Sequence, residues 1–181
     1  MKRLMWIGVI LFSALAAAPL TAAAETIKIA GFYGTFKGSG VAENRDSLYF
    51  GVTVRDLDVT IRPAGTGFEI EWTTVIRRGG NPARPKIRRK TQKMTFTATD
   101  KPNVFRAQKT ADPLSGEPYA WARIKDTSLI VHVLSINEDG SYDVQNYIRT
   151  LVPTGMAFVF QRIRDGEPVR TVKGKLIKYS Q

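Results

Sequence analysis

The chain has no cysteine, a single histidine (His132), and no long apolar run after its N-terminal segment. The first absence excludes a disulfide framework and any thiol-ligated metal centre. The second excludes multi-histidine metal sites. His132 could act only where one imidazole suffices, as in haem ligation, or as a general base beside an orienting carboxylate. The third excludes a further membrane-crossing helix. Beyond residue 25 no amphipathic helix of three turns can be traced, and no Gly-rich phosphate loop, nucleophile elbow or metalloprotease helix motif occurs. These gaps argue against an enzyme, and neither a metal nor a cofactor is expected.

Acid is scarce as well. Asp and Glu number 16 against 27 Lys and Arg, a formal charge of +11 over 181 residues. With 43% hydrophobic and 24% charged residues, the chain has the mix that buries a core rather than one that stays disordered.

What is present begins with an address. Lys2 and Arg3 precede a run from Leu4 to Leu20 that is apolar or small apart from Ser13, and Ala22-Ala23-Ala24 follows. Charged, apolar, then small is the order of a secretory signal peptide, so residues 1–24 are expected to be cleaved and 25–181 to fold as one exported domain, periplasmic or secreted. Loss of Lys2 and Arg3 lowers the charge from +11 to +9.

The remainder reads as strands. Phe68, Ile70, Trp72, Thr74 and Ile76 alternate with Glu69, Glu71, Thr73, Val75 and Arg77, the period-two pattern of a half-buried strand. Leu48, Phe50, Val52 and Val54 form one apolar set. The set then changes phase to Leu57, Val59 and Ile61, which suggests a bulge near Arg55-Asp56. Further strands are expected over Thr26–Phe36, Ile87–Ala98, Val104–Lys109, Tyr119–Lys125, Thr127–Ile136, Ser141–Leu151, Met156–Arg164 and Val169–Tyr179. Turn signals separate them: Ala64-Gly65-Thr66-Gly67, Asn137-Glu138-Asp139-Gly140, Pro153-Thr154-Gly155 and Asp165-Gly166. Lys37-Gly38-Ser39-Gly40 reads as a flexible loop. Eight to ten sequential antiparallel strands avoid exposed edges best by closing, so the expected fold is all-β, an up-and-down barrel, with an open sandwich as the alternative. An outer-membrane barrel fits less well, because the chain ends Tyr179-Ser180-Gln181 and lacks aromatic girdles.

The opening Gly31-Phe32-Tyr33-Gly34-Thr35-Phe36, the meander from Val131-His132-Val133-Leu134 to Leu176, and a final basic strand with Lys173 and Lys175 resemble the lipocalin-type, or calycin, β-barrels. Tyr33 stands where that family's Gly-x-Trp motif has tryptophan. The resemblance implies a barrel that holds a small apolar ligand.

Three groups of residues are candidates for function. Phe68, Ile70, Trp72, Phe158, His132 and the set Tyr119, Trp121 and Arg123 are candidate walls of a cavity for a small apolar or amphipathic molecule such as a lipid. Cavity size separates such a ligand-binder from the alternative, a filled, ligand-free envelope interaction module that contacts anionic surfaces through the basic segment 77–93: an interior with no space for roughly 300 Å³ or more removes the ligand-binder. Arg77, Arg78, Arg84, Lys86, Arg88, Arg89, Lys90 and Lys93 fall within 17 residues without an acid, and so carry nearly all the excess charge. That stretch suits an anionic membrane or envelope surface, or simply guards a strand edge. Nucleic acid is not expected, since no stacking aromatics interleave the charges. The acid pairs Asp56/Asp58 and Glu69/Glu71 are expected on a polar outer face. An enzyme using His132 is the remaining alternative.

Overall fold

The computed structural model describes residues 27–44, 53–78, 86–109 and 111–180, with the backbone only at 44, 77, 78 and 86. The signal segment, the Leu48-Phe50-Val52 set, Arg84, and the side chains of Arg77, Arg78 and Lys86 lie outside this description.

Ten strands form among the described residues: β1 (Gly34–Asn44), β2 (Thr53–Ala64), β3 (Gly67–Arg78), β4 (Lys86–Ala98), β5 (Val104–Ala107), β6 (Tyr119–Lys125), β7 (Ser128–Ile136), β8 (Tyr142–Val152), β9 (Gly155–Arg164) and β10 (Glu167–Ser180). Each pairs antiparallel with its neighbour in sequence, and β1 also pairs with β10, so the sheet closes into an up-and-down barrel. The turns are short where the sequence signals them. Asp165 and Gly166 both take positive φ, 48° and 84°, the mirror-image turn that matches strand twist.

Alternation places one apolar side of the strands inward. Leu57, Val59 and Ile61 of β2 are buried, as are Phe68, Ile70 and Trp72 of β3, Leu129, Val131 and Val133 of β7, and Met156 and Phe158 of β9. A barrel that turned this side to lipid would be the reverse. Glu69 and Glu71 stand outside, where Glu69 pairs with Arg62 at 2.6 Å and Lys93 at 2.8 Å. At the end of the barrel holding the β2–β3 turn the interior is full. Phe68 stacks on Phe96 at 5.0 Å and meets Phe105 edge-on at 5.1 Å. A 3-10 turn, Ile29–Phe32, buries Phe32 at this end, and the Ile27 N–H bonds to the Asp126 carbonyl at 3.3 Å.

Three local expectations change. Residues 29–32 form that turn, and the first strand starts only at Gly34. Lys37-Gly38-Ser39-Gly40 is not a loop but the middle of β1, paired on both sides with β2 and β10. The reason is contact: a Cβ on Gly38 would fall 2.0 Å from the Lys175 carbonyl oxygen. Only glycine admits so close a backbone approach. β2 runs in unbroken register past Arg55-Asp56, with Val54 outward and Arg55, Leu57, Val59 and Ile61 on the inner side. No bulge is present there.

β5 spans four residues and pairs only with Phe96, Thr97 and Ala98 of β4. Among the described residues, Ile87–Met94 of β4 therefore has a strand partner on the β3 side alone. Exposed Arg89, Lys90 and Lys93 lie along this stretch. Basic side chains of this kind keep an open edge from pairing with another chain.

Candidate functional site: a basic mouth over an aromatic floor

The opposite end of the barrel is built differently. Register carries Arg55 to Ile76 and on to Arg88 across β2, β3 and β4. On the other side of the ring it carries Gln145 to Arg162 and on to Arg170 across β8, β9 and β10. One step deeper, Leu57, Thr74 and Lys90 align on the first side, and Tyr147, Phe160 and Val172 on the second. These side chains, with Gln92 and Phe158, line a cavity of about 210 Å³. Five of its lining residues are basic: Arg55, Arg88, Lys90, Arg162 and Arg170. Its floor is aromatic, with Tyr147 lying 4.9 Å from Phe160 and 5.0 Å from Trp72 between ring centres.

A carboxylate, Asp143, stands beside these cations. Asp143 accepts two hydrogen bonds from Arg162, at 2.9 and 2.7 Å, and two longer ones from Arg164 at 3.4 and 3.2 Å. The Arg162 bonds, more than Arg164, hold its pKa down to about 2, against the opposing effect of burial. A carboxyl so depressed contributes stability that is complete above its ordinary pKa of about 3.8 and is lost as pH falls through about 2. The contribution is on the order of 2 kcal/mol. Urea unfolding at pH 7 and pH 2 is expected to show Asp143→Asn weaker than the native chain at pH 7, with the gap closing at pH 2. A gap that stays constant would remove the ion pair as its cause.

Below the floor lies a residue the sequence did not single out. Arg149, two positions along β8 from Tyr147, is fully buried. Its Nε, Nη1 and Nη2 have no hydrogen-bond partner among the described residues. Its guanidinium carbon lies 5.3 Å from the Trp72 ring centre, 5.6 Å from Tyr147 and 5.5 Å from Phe158. Burial lowers its pKa to about 10, so the group stays charged at neutral pH. Burial also pushes the Tyr147 phenol up to about 12, opposed by the charge of Arg149 and a hydrogen bond with Gln92. The Tyr147 hydroxyl donates to Gln145 Oε1 at 2.8 Å.

The sequence-derived wall residues divide. Phe158 lines the mouth cavity, and Trp72 stands behind its floor against Tyr147. Phe68 and Ile70 belong to the filled half. Tyr119, Trp121, Arg123 and His132 are on the outside, because β6 and β7 turn Ala120, Ala122, Ile124, Leu129, Val131 and Val133 inward. They do not wall the interior. Trp121 stacks on His132 at 4.7 Å, and the His132 Nδ1–H donates to Asn146 Oδ1 at 2.7 Å. Burial lowers the His132 pKa, partly offset by the Asn146 bond, and among the described residues it is this amide, not a carboxylate, that orients the ring. Among the described residues no three His, Cys, Asp or Glu side chains cluster as metal ligands would.

The basic segment divides too. Arg88 and Lys90 turn into the mouth, whereas Ile87, Arg89 and Lys93 lie on the other side of β4. Lys173 and Lys175 are exposed, and Tyr33 instead bonds through its hydroxyl to the Gly67 carbonyl at 3.4 Å.

The geometry of the described residues defines a class: a closed ten-stranded barrel, filled at one end and with a basic mouth at the other. Its fold is similar to that of a protein of unknown function from the DUF3598 family of Nostoc punctiforme, with a TM-score of 0.57 and 15% identity. That match covers 85% of this chain and 50% of the other, so this chain spans about half its length. The S-type phycobiliprotein lyase of Guillardia theta is also similar, at a TM-score of 0.39 and 6% identity, covering 84% of this chain and 91% of that one. The likeness to the Nostoc protein speaks for the fold alone. No protein-family model matches the chain. No curated protein sequence matches it either.

Proposed function

We propose that this is a non-catalytic carrier or sensor barrel that binds a small amphipathic anion at its mouth. The observation that carries the reading is the five cations lining a cavity with an aromatic floor. The cations attract and hold the charged group, and the rings of Tyr147, Phe158 and Phe160 take the apolar part. At about 210 Å³ the space is below that of a drug-sized pocket, so it suits a compact ring or the head of a larger molecule, whose tail then stays outside. A lipid engaged in this way is held by its head alone. Export through residues 1–24 belongs to the same proposal. It is tested by whether the protein recovered from the cell envelope begins at Glu25.

The test of binding is titration with 2-naphthoate, read by fluorescence of Trp72 behind the cavity floor. Saturable binding is expected, with the uncharged 2-naphthamide and the variant carrying Arg88→Gln and Lys90→Gln both weaker by on the order of tenfold. Equal affinity for acid and amide, or no binding of either, overturns the reading.

A second reading rests on Ile87, 58% exposed beside Arg88 and Arg89 on the open stretch of β4. An apolar side chain among cations suits an anionic membrane or envelope surface. Cosedimentation with phosphatidylglycerol vesicles, lost on Ile87→Ser, is its expected signature.

A further inference from the structure

A buried guanidinium is satisfied by acceptors arranged in its plane, as a carboxylate or phosphate provides. Arg149 has none among the described protein groups. Its surroundings are three aromatic rings, whose faces favour a cation but accept no in-plane hydrogen bond. Two of those rings, Tyr147 and Phe158, are also the floor of the mouth cavity. The charged fork therefore lies one side-chain layer beneath a cavity whose rim is basic.

We infer that Arg149 is the inner seat for an anionic group, held in the plane of its guanidinium between the rings of Trp72, Tyr147 and Phe158. This rests on the mouth reading and sharpens it. The rim cations draw the anion in and make the affinity fall with salt, while Arg149 supplies the geometric recognition. The Tyr147 and Phe158 side chains must part to admit it, a rotamer change of the kind ligand sites commonly make. An oxyanion is favoured because two parallel N–H bonds match its oxygens. Its source is either the acid of an amphipathic ligand or a free small anion, and the two arms of the test separate them.

The first arm compares 2-naphthoate binding to the native chain, Arg149→Met and Arg149→Lys. Both variants are expected to lose about tenfold or more for the acid, with little change for 2-naphthamide. Lysine keeps the charge but not the fork, so a native affinity in Arg149→Lys reduces the residue to a point charge and overturns the geometric role. The second arm measures melting temperature in formate and in nitrate at fixed ionic strength. A rise in the native chain that is absent in Arg149→Met shows a free anion at the seat. A third readout uses no substitution: the Nε–H resonance of Arg149 in isotopically labelled protein should move on adding the anion. Naphthoate binding that is equal in all three proteins, with a silent Nε–H resonance, removes the inner seat and leaves the mouth reading standing. No naphthoate binding, but anion protection that depends on Arg149, removes the mouth reading and keeps the seat. Absence of all three signals removes both.

Discussion

Gly38→Ala is expected to cost about 3 kcal/mol or more, at the upper end for overpacking, and to open the barrel at its closing seam. The added Cβ would fall 2.0 Å from the Lys175 carbonyl oxygen and 2.8 Å from the Leu176 Cα. Both are backbone atoms of β10, so no rotamer change can relieve the clash and the strands must separate. Gly40 and Gly174 lie next along the same seam, paired with each other, and the Leu57 side chain closes over both, at 3.1 and 3.0 Å from where their Cβ atoms would be. Glycines facing inward here let two strands meet at a sharp corner, which a ten-stranded ring with a filled interior requires. Gly65→Ala is the control. That turn residue has φ of +53° but open space around it, so only local strain of roughly 1 kcal/mol is expected. Urea midpoints of the two variants give the comparison. Equal losses would mean that the seam is not tightly packed.

The same glycines show where sequence reading stopped. Phe68 to Ile76 could be assigned because period two, β-branched and aromatic residues, and a Gly-Thr turn all agree. The hairpins at 65–66, 153–154 and 165–166 followed from turn chemistry, and serial hairpins imply closure. In Lys37–Gly40, by contrast, composition points to a loop, and only the neighbouring backbone makes it strand. Strand β6 misled in another way. Trp121 is the large apolar residue, yet Ala120 and Ala122 face inward, because the interior opposite is already filled by side chains such as Phe105. Size, not hydrophobicity, chose the face.

Arg149 was hidden for a related reason. On β8 the more apolar set is Val144, Ile148 and Thr150 with Asn146. The inward set is Asp143, Gln145, Tyr147 and Arg149. Binary patterning selects the wrong face here. Local rules of this kind are broken at functional or strained sites, which is why the inversion draws attention to this end of the barrel. Arg88 and Lys90 could be picked out as charge but not as lining. Their inward direction depends on register with Ile76 and Thr74, and composition does not carry that.

Arg149→Met is expected to make the ligand-free protein more stable, by about 1–3 kcal/mol, although it removes a residue that touches three aromatic rings. The sign follows from what the charge loses. Folding takes the guanidinium from water to full burial with no acceptor among the described residues, and its pKa falls from 12.5 to about 10. A base whose pKa is lowered by folding binds its proton less tightly in the folded state, so folding is penalised wherever the unfolded chain is charged. The penalty is complete at every pH below about 10 and is on the order of 3 kcal/mol. Methionine fills similar length, and its thioether packs well on aromatic faces. Among the described residues no carboxylate bonds to Arg149, so its removal orphans no partner charge of the kind that makes broken ion pairs costly. Denaturant unfolding should give a higher midpoint with an unchanged slope. Arg149→Lys, with the same charge and less favourable stacking, should be no more stable than the native chain. Saturating 2-naphthoate should narrow the gap between Arg149→Met and the native protein, because only the native guanidinium then gains its acceptor. A loss of about 2 kcal/mol or more in ligand-free Arg149→Met would show instead that the ring contacts outweigh desolvation, and that the cation belongs to the core in its own right.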